Sequence, residues 1–283
     1  MLTPLQSKPT KARETTMIAE FKEITGATTA DATRLIKKHK NVETAIDAFF
    51  ADSAAQANAA STSGGKDRRN KLGAIWDKYK DPSKALITIE GTMAFCTELD
   101  IDPSSDSVLF CLATDLGSKA IGEWEREPWI TGWTAMGPSI ESLADMKAQL
   151  PALRTKLNSD PAYFKKVYMH TFDLSKADGA RTLMLDTGID MWKLYIPPAL
   201  AARPSALSKV SSPGAPPDFT EKELGMWLEF IQKKGKAISK DTWSLFIDFV
   251  RSIDSDFKEY DEEAAWPSTI DDFVEYARKE KAT

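Results

Sequence analysis

The chain has 283 residues, a formal net charge of −5 and a pI near 5.3. It has no basic helix face to neutralise phosphates and no apolar run approaching the ~18 uncharged residues of a membrane span, so neither nucleic acid nor membrane is an expected partner. Apolar residues make up 42%, with eight Trp and thirteen Phe, enough core for one large or two small domains.

Residues 1–12 have mixed polar character and two prolines without periodicity, and are expected to be disordered. They lack the apolar core of a secretory signal, so the expected address is intracellular, in nucleus and cytoplasm. Residues 13–52 carry three short helical patterns: Met17, Ile18, Phe21, Ile24; then Ala32, Leu35, Ile36, capped by Thr29; then Val42, Ala45, Ile46, Phe49, Phe50. The size, the Thr25-Gly26 turn and the third segment NVETAIDAFF resemble a ubiquitin-associated-like three-helix domain, with Ile-Thr-Gly replacing the usual Met-Gly-Phe-type loop. That resemblance implies a ubiquitin contact; a helical accessory module without such affinity is the alternative. Residues 53–66, which contain SAAQANAASTSGG, hold no large apolar side chain and read as a flexible linker.

From residue 67 to 283 the apolar spacing is helical almost throughout, which predicts an all-α domain. The groups include Leu72, Ile75, Trp76, Tyr79; Met93, Phe95, Cys96, Leu99; and Trp129, Ile130, Trp133. Pro151 and Pro161 are each expected to open a helix, the latter capped by Asp160. A further helix is expected to stop at Pro197-Pro198, followed by an exposed proline-rich insertion over 199–217. Thr220 and Glu223 then form a capping box. Helix–loop–helix units with short β-like joins, as at Leu86-Ile87-Thr88-Ile89, suggest an EF-hand-like scaffold. Calcium ligands are missing, however: from Asp77 the third, sixth and twelfth positions are Tyr79, Pro82 and Thr88, and from Asp173 the fifth and sixth are Ala177 and Asp178.

Catalytic patterns are absent from the sequence, and no cofactor is expected. His39 lies in the basic turn KKHK and reads as solvent-facing, while His170 reads as a packed histidine. Cys96 and Cys111 have apolar neighbours and nothing to activate a thiolate. No phosphate loop, zinc pair or metalloprotease motif occurs, so neither a RING-type nor a HECT-type ligase mechanism is supported.

The acidity is local. From Asp241 to Glu275 there are eleven acids and two bases, net −9, so the remaining chain sums to +4. Ser239 is expected to cap a helix burying Trp243, Phe246, Ile247 and Val250, leaving Asp241 in its exposed first turn. A second helix opens near Trp266-Pro267 and buries Ile270, Phe273, Val274 and Ala277. By itself such a stretch fits a solvated helix pair.

The strings SKDTW and YDEEAAWPSTIDDFVEYAR make it more specific. They resemble the C-terminal signature of the defective-in-cullin-neddylation family, whose potentiating-neddylation domain docks the basic winged-helix tail of cullins on an Asp–Ala–Asp patch. Matched residue by residue, the patch is Asp241, Ala265 and Asp271. The resemblance implies a scaffold-type ligase component that holds a cullin and the neddylation E2 together; a ubiquitin- or cullin-binding adaptor that does not stimulate transfer is the alternative. It also implies a hydrophobic pocket for the acetylated N-terminal methionine of the E2, its wall drawn from Val108, Cys111, Leu112, Ile121, Trp124, Leu174 and Leu194. Their spacing suits plain core equally well.

Overall fold

The computed structural model describes residues 15–19, 21, 29–42, 44, 45, 48, 65–209 and 217–282. The chain divides into two compact units, Met1–Arg68 and Arg69–Thr283. In the first, α1 (Thr29–His39) buries Ala32, Leu35 and Ile36 with Phe21 and Ala45. His39 is half-buried rather than solvent-facing, because it closes the last turn of α1 with its Nε2 withdrawn from solvent. The expected disordered N-terminus and nearly all of the expected linker fall outside the described residues, as do Ile24, Ile46, Phe49 and Phe50.

Among its described residues the second unit is all-α apart from two pairs of two-residue strands. Its order is α2 (Lys66–Tyr79), β1 (Leu86–Ile87), α3 (Ile89–Glu98), α4 (Val108–Asp115), β2 (Trp124–Glu125), α5 (Arg126–Met136), α6 (Leu143–Ser159), α7 (Pro161–Ser175), β3 (Thr182–Leu183), α8 (Leu185–Ala201), α9 (Glu221–Lys234), β4 (Ile238–Ser239), α10 (Lys240–Ser252) and α11 (Ser268–Ala282). β1 pairs antiparallel with β2, Ile87 opposite Trp124, and β3 with β4, Leu183 opposite Ile238. Each pairing joins two helix–loop–helix units, so α2–α5 and α7–α10 form two EF-hand-like pairs, linked by α6 and followed by α11. Close approach needs glycine at one point: a Cβ on Gly91 of α3 would meet the Tyr79 carbonyl of α2 at 2.0 Å.

Caps set the helix starts. Asp160 accepts from the amides of Ala162 and Tyr163, Ser239 accepts from Thr242, and Thr220 with Glu223 forms the reciprocal box. Pro151, by contrast, opens nothing and lies inside α6, because Met146, Leu150 and Leu157 bury one continuous face across it while its ring is exposed. Likewise α8 runs through Pro197 and Pro198 to Ala201, because Ala199 and Leu200 beyond them are buried. The packing outweighs two missing donors, and the carbonyls of Lys193 and Leu194 lose their i+4 N–H partners.

The expected exposed insertion is also corrected. Ala199, Leu200, Ala206 and Leu207 are buried, the Ala206 amide donates to the Asn158 carbonyl, and the Ser205 hydroxyl donates to the Ala199 carbonyl. Residues 210–216 lie outside the described residues. Met93, grouped with core positions by its spacing, is exposed on α3.

Aromatic rings lock the second pair together. Trp243 of α10 stacks on Tyr168 of α7 at 4.1 Å and 6°. The Trp243 indole donates to the Tyr168 carbonyl, the Tyr168 hydroxyl donates to the Trp243 carbonyl, and the Trp192 indole of α8 donates to the Tyr168 hydroxyl. Trp227 of α9 stacks on Phe246 at 4.5 Å and meets Phe273 of α11 edge-on, which brings α11 into the same core. Each ring pair adds about 0.5–1.5 kcal/mol beyond its area burial.

Candidate functional site: an acidic face and an apolar groove

The acidic face is built on α10, α11 and the connection between them. Trp243 fixes α10, so Asp241, two residues earlier, stands exposed in the first turn. Thr242 of α10 and Thr269 of α11 line one small crevice with Lys234 and Ile238, which brings the N-terminal ends of the two helices side by side. Asp271 is exposed in the first turn of α11, so both helices start with a carboxylate at the positive end of their dipoles.

The connection, residues 253–267, is held by its own apolar side chains. Phe257 adopts left-handed backbone, φ 59°, yet is fully buried between Phe249 and Phe273. Burial and a hydrogen bond from Arg278 to its carbonyl hold that conformation. Tyr260 stacks on Trp266 at 6.0 Å and donates to Asp271 Oδ1 at 2.5 Å. Burial, then the Asp271 hydrogen bond, push the Tyr260 hydroxyl pKa well up, so it remains a donor. Ala265, the residue before Trp266, is exposed.

Ion pairing sorts the acids. Asp248 meets Lys165, Asp256 meets Lys258, Glu259 meets Lys209, Glu262 meets Arg278, Asp272 meets Lys234 and Glu275 meets Lys279. Asp241, Asp254, Asp261, Glu263 and Asp271 form no ion pair among the described residues. The two matched aspartates therefore keep their charge available, and of these five they are the ones set in the first turns of helices, a placement composition alone does not reveal.

The seven expected pocket residues are not gathered around one opening. Val108, Cys111, Leu112 and Trp124 are at most 2% exposed and belong to the core. Trp124 is fastened by its indole to the Thr92 hydroxyl, which in turn donates to the Gly122 carbonyl. Leu174 is buried, Ile121 is exposed, and Leu194 is half-buried. Leu194 lines an open groove of about 740 Å³, with Pro103, Met191, Pro197 and Pro198 as apolar walls and Ser104, Ser105, Asp190 and Lys193 as polar ones. Sequence reasoning missed these walls, although the double proline was a usable signal.

The titratable interior is quiet. Burial pushes the Cys96 thiol up to about 11 and the Cys111 thiol to about 12. Burial lowers the His170 pKa, with the hydrogen bond to the Ser118 carbonyl acting the other way; Nε2 lies 3.1 Å from that carbonyl and Nδ1 lies 3.0 Å from Thr114 Oγ1. Among the described residues, no group of three or more His, Cys, Asp or Glu side chains is placed to hold a metal ion, and no helix is long and apolar enough to cross a membrane.

A family model described as cullin binding matches residues 145–276, and one described as a UBA-like domain matches residues 15–56. The chain is 51% identical over 278 residues to defective in cullin neddylation protein 1 of Cryptococcus neoformans, covering 96% of this chain and 97% of that one. It is 32% identical to the protein of the same name from Mycosarcoma maydis, over 94% and 95% of the two chains. It is 31% identical to human DCN1-like protein 3, over 73% of this chain and 62% of the relative. The chain thus belongs to the defective-in-cullin-neddylation family.

Proposed function

We propose that this protein is a scaffold-type E3 component of cullin neddylation, binding a cullin on the acidic face and the neddylation E2 at the groove beside Leu194. The single observation that carries the cullin half is the pair of exposed aspartates, Asp241 and Asp271, left without cationic partners at adjacent helix starts. A basic winged-helix domain supplies the missing cations. Ala265 is required because its methyl lets the partner's backbone approach, whereas a long or charged side chain would stand in the way.

The groove suits an acetylated N-terminus. Acetylation replaces an ammonium, costly to desolvate, with an amide that needs only hydrogen-bond partners. Pro103, Met191 and Leu194 offer apolar surface for a methionine side chain, and Ser104, Ser105 and Lys193 supply polar residues beside it.

Holding two substrates on one rigid body raises their effective concentration to about the millimolar range without a nucleophile. Thiols pushed to about 11 and 12 are poor nucleophiles, which fits that non-catalytic role. The UBA-like unit contributes a ubiquitin contact that the transfer step does not require.

The testing experiment is transfer of the ubiquitin-like modifier from E2 to cullin with and without the protein. Stimulation by the wild type and its loss in folded Ala265→Arg is the expected result. Cullin binding without stimulation would instead identify an adaptor.

A further inference from the structure

Away from both proposed binding surfaces, a cleft of about 470 Å³ opens among α4, α5, α6 and α7. Its polar side is formed by Asp115, Lys156 and Lys166, with the buried Tyr163 behind them. The Tyr163 hydroxyl donates to Asp115 Oδ2 at 2.6 Å, Lys166 Nζ donates to Asp115 Oδ1 at 2.9 Å, and Lys156 Nζ lies 4.2 Å from the Tyr163 ring centroid. Both Asp115 oxygens are therefore occupied from within the protein, and its side chain is only 18% exposed. Lys156 is different. It lines the cleft, is exposed, and has no carboxylate partner among the described residues.

The other side of the cleft is apolar, formed by Met136 of α5 and Leu153 of α6, both half-buried. Gly132 sets its depth: a Cβ there would meet the Asp115 carbonyl at 2.5 Å, so α5 can approach the end of α4 only without a side chain at that position. A cation with no carboxylate partner and an apolar wall thus share one concave site, within the size range of sites that take small ligands or peptide segments.

We propose that this cleft binds an acidic peptide segment of a protein partner, with a carboxylate on Lys156 and a neighbouring apolar side chain against Met136 and Leu153. Charge complementarity selects a carboxylate over a phosphate. Asp115 already neutralises Lys166, so the site offers about one uncompensated positive charge, matched to a monoanion and mismatched to a dianion beside the Asp115 carboxylate. The apolar wall selects a peptide with a hydrophobic residue next to its acid. A Lys156 ammonium pinned over the Tyr163 ring is also partly pre-ordered, which lowers the entropy cost of pairing.

The test uses the full chain with methyl-labelled Met and Leu, titrated with N-acetyl-leucyl-glutamate amide and, separately, with N-acetyl-leucyl-glutamine amide. Saturable shifts of the Met136 and Leu153 methyls with the glutamate probe, at least roughly tenfold weaker with the glutamine probe and in Lys156→Glu, are expected; a tenfold change corresponds to about 1.4 kcal/mol. Asp241→Ala/Asp271→Ala should leave the shifts unchanged. Absence of shifts at these methyls overturns the proposal, and so do equal affinities for the two probes or an undiminished response in folded Lys156→Glu. Displacement by inorganic phosphate more effective than by the glutamate probe would reassign the site to a phosphate ligand and overturn it equally.

Discussion

The acidic face and the groove beside Leu194 stand on the same kind of framework, an EF-hand-like scaffold of helices, yet they are built from opposite materials. On the acidic face, buried aromatic residues lie beneath and charge lies on top: Trp243, Phe249 and Phe273 fix the helices, and Asp241 and Asp271 project from them. In the groove apolar side chains themselves reach the surface: Pro103, Met191, Leu194, Pro197 and Pro198 line it among Ser104, Ser105, Asp190 and Lys193. The difference teaches that a charged site is specified by where pairing is withheld, and an apolar site by where packing stops.

The largest effect is expected from undoing the framework beneath the acidic face. Trp243→Ala removes the Tyr168 stack and the indole hydrogen bond to the Tyr168 carbonyl; it should cost about 3–5 kcal/mol in urea unfolding. Survival of normal stability would mean that the ring network does not hold α10. Tyr168→Phe should cost less, about 1–3 kcal/mol, because it strips the acceptor from the buried Trp192 indole.

Next come substitutions that leave the framework intact and separate the two surfaces. Ala265→Arg, or Asp241→Ala with Asp271→Ala, should weaken cullin binding by roughly tenfold or more, about 1.4 kcal/mol, with unchanged circular dichroism and unchanged E2-peptide affinity. Leu194→Asp should do the reverse, abolishing the preference for an acetylated over an unacetylated E2 peptide while sparing cullin affinity. If either variant lowered both affinities in calorimetric titration, the two surfaces would not be independent.

How far each region was readable follows from its material. Helix starts carry local chemistry, so Ser239, Thr220 and Asp160 were legible as caps and the acidic helices could be placed. The aspartates were legible by type, but only the structure reveals which acids are neutralised, since Lys165 reaches Asp248 across 83 positions. The groove was poorly legible because Val108, Cys111 and Leu112 share helical spacing with core and are core. The three internal prolines misled for a related reason: a sequence displays the donor that is missing, whereas the burial of Leu157, Ala199 and Leu200 that compensates appears only in the fold.

A smaller effect concerns pH. Glu223 is 2% exposed and receives hydrogen bonds from Thr220 and from Lys281 at the end of α11. Burial pushes its carboxyl up, but the hydrogen bonds outweigh it and the pKa lies below the ordinary value. A depressed carboxylate stabilises the fold above the unfolded value, about 4.3, and that contribution is lost as pH falls through the lower folded value. Urea midpoints should therefore fall with acidification below about pH 4.3, and less steeply in Glu223→Gln. The smallest effect is expected from removing the UBA-like unit: a truncation beginning at Gly65 should fold and retain stimulation in the transfer assay.

The scaffold account is tested most directly by complementation. Single-turnover transfer to cullin is measured with the intact protein and with an equimolar mixture of the Asp241→Ala/Asp271→Ala and Leu194→Asp variants, each of which retains one surface. If the protein acts by joining its two substrates, the mixture presents both surfaces on separate molecules and stimulates no more than either variant alone. Restoration of the wild-type rate by the mixture would contradict the account, because the surfaces would then act without being joined.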